Sequence, residues 1–314
     1  MPKIAVTRWI PEDAAKILAD AGEVKLSAAD RPLEPDELRD FVAGSCAIVS
    51  TLHDRVDGDL ADAAGPGLRI VANVAVGYDN VDVAALAERG VAVTNTPGVL
   101  TDATADLTLA LILALTRRVG EGERLIRARE PWSFHLGFLL GSSLQGKTLG
   151  IVGLGQIGQA VARRAAAFGL RVVHTGRSRA SSEFEFLPLE ELLRTSDIVS
   201  LHCPLTPQTR HLIDAVALRT MKRGAYLVNT TRGPVVDESA LADALEAGAI
   251  AGAALDVFER EPEVESRLLD RENVVLTPHL GSATIETRTA MAVLAAMNVA
   301  AVLGGDAPLT EVRP

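Results

Sequence analysis

Six residues constrain this chain more than any others: Gly153-Leu154-Gly155-Gln156-Ile157-Gly158. Before them, Thr148-Leu-Gly-Ile-Val152 reads as a buried parallel strand. After them, Ile157, Ala160, Val161, Ala165 and Phe168 recur at helical spacing. The glycines therefore fall on a strand-to-helix turn. There the first glycine permits the tight turn, the second lets a pyrophosphate approach the backbone, and the third lets helix and strand pack closely. The N–H groups at the start of the helix then face the anion. A dinucleotide is the expected ligand, in preference to a glycine-rich turn that binds nothing.

Which dinucleotide is decided at the end of the next strand. An acid about 20 residues beyond the glycine turn accepts the ribose hydroxyls of NAD and repels a 2′-phosphate. Here Arg171-Val-Val-His174 leads into Thr175-Gly176-Arg177-Ser178-Arg179, and no Asp or Glu occurs between Gly153 and Glu183. Gly176 occupies the acid's place and leaves room for a phosphate, while Arg177, Ser178 and Arg179 offer hydrogen bonds to it. NADPH is expected in preference to NADH. The competing explanation of the two arginines is an ordinary solvated loop.

A chain of 314 residues has room for two α/β lobes. Short apolar runs at Ile4–Val6, Ala47–Val49, Arg69–Val71 and Val91–Val93 alternate with helical patterns at Pro11–Ala21 and Val81–Arg89. This predicts a small parallel unit in the first hundred residues. A second, more regular series has strands near 148–152, 171–174, 197–201, 225–229, 252–256 and 274–276. One long helix, Thr101 to Val119, separates the two series, with Thr101 or Asp102 as its cap. A closing helix, Thr284 to Leu303, is expected to return to the first lobe. The fold class is thus α/β: two Rossmann-like lobes with doubly wound parallel sheets. A discontinuous, flavodoxin-like substrate domain would span 1–99 and 284–314, and the dinucleotide domain 100–283.

A net charge of −10 argues against a nucleic-acid surface or an anionic membrane as partner, since either would want a concentrated basic face. The start, Met-Pro-Lys-Ile-Ala-Val-Thr, shows no signal-peptide pattern. The longest apolar stretch is read as Leu107–Leu115, too short to span a bilayer. Cys46 and Cys203 lie beside strand-like runs and suggest neither a disulfide framework nor a metal cluster. A reducing cytoplasm fits.

Arg232, Glu261 and His279 stand just past the C-terminal ends of three successive predicted strands, where ligands of open parallel sheets bind. A histidine paired with a carboxylate is a general acid kept protonated near neutral pH, and an arginine beside it can grip a carboxylate with two hydrogen bonds. Those are the parts a 2-oxo acid reductase needs. Spacing alone does not separate Glu261 from Glu259 or Glu263 in the acidic run 259–263, and Arg232 could equally cap a strand end. The other five histidines have no comparable partner pattern. In the first lobe, the turn around Val76-Gly77 follows a strand and could bind a carboxylate through main-chain N–H groups. A plain αβ turn explains it as well.

Taken in order, these segments resemble the D-isomer-specific 2-hydroxyacid dehydrogenases, in particular the glyoxylate/hydroxypyruvate reductases. The resemblance runs through Asn73–Asn80, Thr101–Asp106, Gly150–Gly158, His202–Thr206, Val228–Asp237, Ala254–Pro262 and Thr277–Ala283, essentially the whole chain. It implies His279 as acid/base, Glu261 as its carboxylate partner and Arg232 as substrate anchor, with Val76 and Gly77 also binding substrate. It places Asp256 and Thr231 at the nicotinamide. Thr104 and the turn with Cys203 and Pro204 would line the cofactor groove, which His279 and Gly281 would border. It also implies that Trp132 shapes the pocket, in its own or a partner subunit. The implied reaction is reduction of a small 2-oxo acid to the 2-hydroxy acid. Alternatives are a related dehydrogenase of broader specificity, and a dinucleotide-sensing corepressor-like protein without catalytic function. Leu107, Leu109, Leu111, Ile112, Leu113 and Leu115 place apolar groups all round the 101–119 helix, so a homodimer built on it is expected.

Overall fold

The computed structural model describes residues 1–29, 31–176 and 183–314. They form two compact units, Met1–Leu100 with Ala283–Pro314, and Thr101–Ser282.

In the first unit, β1 (Lys3–Val6), β2 (Glu23–Leu26), β3 (Ala47–Ser50), β4 (Ile70–Asn73) and β5 (Ala92–Thr94) lie parallel in the order β2-β1-β3-β4-β5, and the strand Glu311–Val312 pairs antiparallel beyond β5. Their order is that of a flavodoxin-like sheet. β3 and β4 are buried along their whole length, three apolar residues in each followed by Ser50 and Asn73, whose side chains bond each other at 3.2 Å. Glu23-Val-Lys-Leu26, by contrast, is a largely exposed edge, and its alternation of charged and apolar residues hid it from the sequence reading. The helices Pro35–Val42 and Gly58–Ala64 were also not foreseen. The closing helix, Ile285–Gly304, is capped by the Thr284 hydroxyl, which accepts the Thr287 N–H. Ala292, Ala295, Ala296 and Val299 pack it into the core with Ile4, Leu18 and Ile70. Among the described residues this helix is also the one long and apolar enough, by length and composition alone, to cross a membrane, although it packs into the core of the first unit.

The second unit holds β6 (Thr148–Val152), β7 (Arg171–Thr175), β8 (Glu185–Phe186), β9 (Ile198–Leu201), β10 (Tyr226–Asn229), β11 (Gly252–Leu255) and β12 (Val274–Leu276). All are parallel, in the order β12-β11-β10-β9-β6-β7-β8. The strand order reverses between β6 and β9, and in sheets of this kind ligands bind outside the carboxyl ends at such a point. The predicted 101–119 helix is in fact two. Thr101–Thr116 ends before Arg118, which adopts φ 55°, and Val119–Arg127 follows. Thr101 and Asp102 lie inside the first turn rather than capping it. Asp102 and Asp106 instead hold Arg164 of the helix Gln156–Ala167, at 2.8 and 2.6 Å. Leu109, Ile112 and Leu115 fill the core beneath, against Leu149, Ile151 and Val161.

Candidate active site

The three glycines of the turn meet three different surroundings. Gly153 has φ 98°, and a Cβ there would lie 2.7 Å from the Cys203 backbone nitrogen. A Cβ on Gly158 would sit 2.2 Å from the Gly153 carbonyl oxygen, so helix and strand touch at this point. A Cβ on Gly155 would meet nothing within 4 Å. That open space lies at the start of the helix Gln156–Ala167, which no side chain caps, with Gln156, Ile157 and Gly158 in its first turn. Backbone donors beside a vacant approach fit a pyrophosphate. Leu154 is half-buried on the same turn. Gly176, at the end of β7, is exposed and would place a Cβ 3.9 Å from the Gly153 Cα, so the second strand does deliver position 176 to the glycine turn. Arg177, Ser178 and Arg179 lie outside the described residues.

Arg232, Glu261 and His279 follow β10, β11 and β12, which are adjacent in the sheet. His279 Nδ1 lies 2.9 Å from Glu261 Oε2 and 3.2 Å from Oε1. With Nδ1 turned to the carboxylate, Nε2 is the nitrogen left for a substrate oxygen. Glu261 is itself steadied by the Phe258 N–H, 3.1 Å from Oε1. His279 has φ 53°, a left-handed conformation that side-chain-bearing residues seldom adopt. The fully buried Asp256 imposes it: its carbonyl accepts the His279 N–H at 2.8 Å, while its carboxylate accepts the Thr277 hydroxyl, the Leu280 N–H and the Gly281 N–H at 2.6 to 2.8 Å. Burial pushes the Asp256 carboxyl up from its ordinary value, and those hydrogen bonds oppose the shift. Asp256 therefore shapes the histidine turn. Thr104, also buried, donates to the Gly281 carbonyl at 3.1 Å and ties the helix Thr101–Thr116 to the same turn.

The Arg232 turn is fixed on both sides. Asn229 Nδ2 donates to the Arg232 carbonyl at 2.9 Å, and a Cβ on Gly233 would fall 1.9 Å from the Phe258 carbonyl, so only glycine lets this turn lie against the Glu261 loop. Thr231 donates its hydroxyl to the Cys203 carbonyl at 2.6 Å, joining the turns after β9 and β10, with Pro204 exposed beside them. Burial pushes the Cys203 thiol up to about 11, which removes it as a nucleophile.

In the first unit, Asn95 Nδ2 donates to the Val76 carbonyl at 2.8 Å and Asn73 Nδ2 to the Gly77 carbonyl at 3.1 Å. Asn80 ties Asn73 to the carbonyls of Thr51 and Asp54. With the carbonyl oxygens engaged by side chains, the turn is held as a preformed loop rather than a slack connection.

The sequence reading missed one constellation. His211 faces Glu259 at 3.2 Å, a second histidine–carboxylate pair where none was expected, and Glu259 in turn bonds Glu238. Glu259 is thereby committed away from His279, which settles the ambiguity in the 259–263 run. Two of the other second-unit histidines are held away from the site. His174 is buried against the Phe186 ring, and His202, held neutral by burial that takes its pKa down to about 4, bonds the Ser200 hydroxyl at 2.8 Å.

Residues 109–281 match the family described as D-isomer specific 2-hydroxyacid dehydrogenase, NAD binding domain. A glyoxylate reductase of Pyrococcus horikoshii is 47% identical, the match covering 99% of this chain and 96% of that protein. One of Korarchaeum cryptofilum is 48% identical over 100% and 98%. Among solved structures, an NADPH-dependent glyoxylate/hydroxypyruvate reductase of Sinorhizobium meliloti, in complex with NADP and malonate, superimposes with a TM-score of 0.87 at 37% identity, covering 99% of this chain and 95% of that one. The two-unit architecture, the glycine turn and these matches together establish that the chain belongs to the D-isomer-specific 2-hydroxyacid dehydrogenase family, NAD(P)-dependent oxidoreductases.

Proposed function

We propose that this protein reduces glyoxylate, and hydroxypyruvate as its longer homologue, to the 2-hydroxy acid, with NADPH preferred over NADH. The observation that carries the reading is the His279–Glu261 pair at 2.9 Å, beside the Arg232 turn at the carboxyl end of the dinucleotide sheet. Arg232 anchors the substrate carboxylate by paired hydrogen bonds. The residues of the glycine turn would hold a nicotinamide dinucleotide, which when bound would supply the hydride for the 2-oxo carbonyl carbon of the substrate. His279 then gives the proton on Nε2 to the carbonyl oxygen, and Glu261 stabilises its charged form beforehand. Val76 and Gly77 offer main-chain N–H groups of the kind that bind a carboxylate. The relatives named glyoxylate reductase support the substrate, and the NADP-bound Sinorhizobium meliloti enzyme supports the cofactor.

The preference for NADPH rests on Gly176 and on Arg177, Ser178 and Arg179 of the sequence. Thr104, Cys203, Pro204, Thr231, Asp256 and Gly281 are proposed to border the cofactor groove. The protein is further proposed to be a cytoplasmic homodimer. Initial rates over a panel of 2-oxo acids, with NADPH and NADH in parallel, test the reading. Glyoxylate or hydroxypyruvate should lead with NADPH, and Arg177→Ala should raise the NADPH KM. A wild-type preference for NADH refutes the cofactor assignment.

A further inference from the structure

Glu238 opens the helix Glu238–Glu246, whose cap is Asp237, and it is only 7% exposed. Its carboxylate accepts the Glu259 N–H at 2.5 Å and the Glu265 N–H at 3.4 Å. The exchange is reciprocal: Glu259 Oε1 accepts the Glu238 N–H at 2.9 Å. Glu259 Oε2 lies 3.2 Å from His211 Nε2, and the His211 N–H donates to the Pro234 carbonyl at 2.8 Å, with His211 at φ 50°. Four segments are thus locked together: the loop after β9 that carries His211, the turn after β10, the start of the helix Glu238–Glu246, and the loop after β11. Burying a carboxylate is costly unless its oxygens are bonded, so a nearly buried glutamate at a helix start needs a reason. A surface acid would serve the helix dipole as well.

We propose that Glu238 is a positioning residue, which together with Glu259 and His211 fixes the backbone that presents Glu261 to His279. The inference rests on the reductase reading of that pair. Only Arg260 separates Glu259 from Glu261. Anchoring the Glu259 peptide at both its N–H and its side chain leaves Phe258 N–H aimed at Glu261 Oε1, and Glu261 Oε2 on Nδ1. The groups facing the cluster are Glu259, Glu265 and His211, with Arg260 near Glu265, and burial together with the neighbouring carboxylates raises the Glu238 carboxyl above its ordinary range. Without Glu238, the Glu259 N–H loses its partner and the loop is free to drift. Misplacement of about 1 Å can cost about a hundredfold in rate.

The test uses Glu238→Ala and Glu238→Gln in the full chain. For Glu238→Ala the expected results are a kcat lower by about 10- to 100-fold, an unchanged KM for the cofactor, and an alkaline limb of the reductive kcat/KM profile displaced to lower pH. Glu238→Gln, whose amide oxygen still accepts the Glu259 N–H, should recover most of the kcat. If Glu238→Ala does not fold, His211→Ala, at a side chain 39% exposed, takes its place with the same expected limb shift. A second readout needs no turnover: the His279 ring resonance, assigned with His279→Ala, should titrate at lower pH in Glu238→Ala and His211→Ala than in the wild type, and near the wild-type position in Glu238→Gln. A folded Glu238→Ala or His211→Ala with an unmoved limb and an unmoved His279 resonance overturns the proposal, even if its thermal stability falls. Failure of the wild type to turn over any 2-oxo acid would refute the reductase reading, while the resonance still decides the brace.

Discussion

At His279 the backbone and the side chain are constrained by different neighbours. A left-handed residue with a Cβ costs about 1–2 kcal/mol, and the three donors gathered by the Asp256 carboxylate, with the His279 N–H on its carbonyl, offset it. The ring is then set by Glu261. Replacing Glu261 with Gln removes the charge but not the shape, so the alkaline limb of the reductive kcat/KM profile should move to lower pH; an unmoved limb assigns the role to another group. Glu238 gives a second expectation, in stability. Its carboxyl titrates above the ordinary range in the folded protein, so its contribution is present at low pH and is lost as pH rises through that raised value. Urea midpoints measured against pH should therefore decline less on rising pH in Glu238→Gln than in the wild type. His279 and Arg232 were legible in the sequence because each stands just beyond an apolar strand. Glu261 was not separable from its acidic neighbours, since spacing does not say which carboxylate a loop turns inward. Glu238 was invisible, because an acid in the first turn of a helix is commonplace.

Among the elements, the glycine turn offers the sharpest contrast. Gly155 faces open space at φ −75°, so Gly155→Ala should leave the melting temperature near that of the wild type while weakening NADPH binding, as its methyl group takes the room of the pyrophosphate. Gly158→Ala forces a methyl group into the Gly153 carbonyl and should cost about 1–3 kcal/mol of stability. Equal effects from the two would contradict the separate roles assigned to them. The inner strands were readable because burial on both faces demands unbroken apolar runs. The edge strand Glu23–Leu26 carries no such demand. The break between the helices Thr101–Thr116 and Val119–Arg127 escaped notice because Thr116-Arg-Arg-Val119 contains neither Pro nor Gly; the left-handed turn falls on Arg118, a residue that gives no local signal for one.

At the scale of the whole molecule, six of the exposed large apolar side chains among the described residues fall in one stretch, 119–140. The helix Val119–Arg127 has no buried residue, and Trp132, Phe134, Leu136 and Leu140 of the following loop are all exposed, Leu136 at 90%. Exposed apolar side chains this close in sequence fit the homodimer proposed above. Sedimentation equilibrium at micromolar concentration should show a dimer, and Phe134→Glu with Leu136→Glu should shift it toward monomer; a wild type that is wholly monomeric contradicts the dimer. Everything functional, however, turns on whether His279 carries the proton in reduction of a 2-oxo acid. The direct measurement is steady-state reduction of glyoxylate by NADPH with the wild type and His279→Ala. The account requires wild-type turnover and a loss of about 10²–10⁴-fold in kcat for the variant, and a His279→Ala enzyme that reduces glyoxylate at the wild-type rate would contradict it.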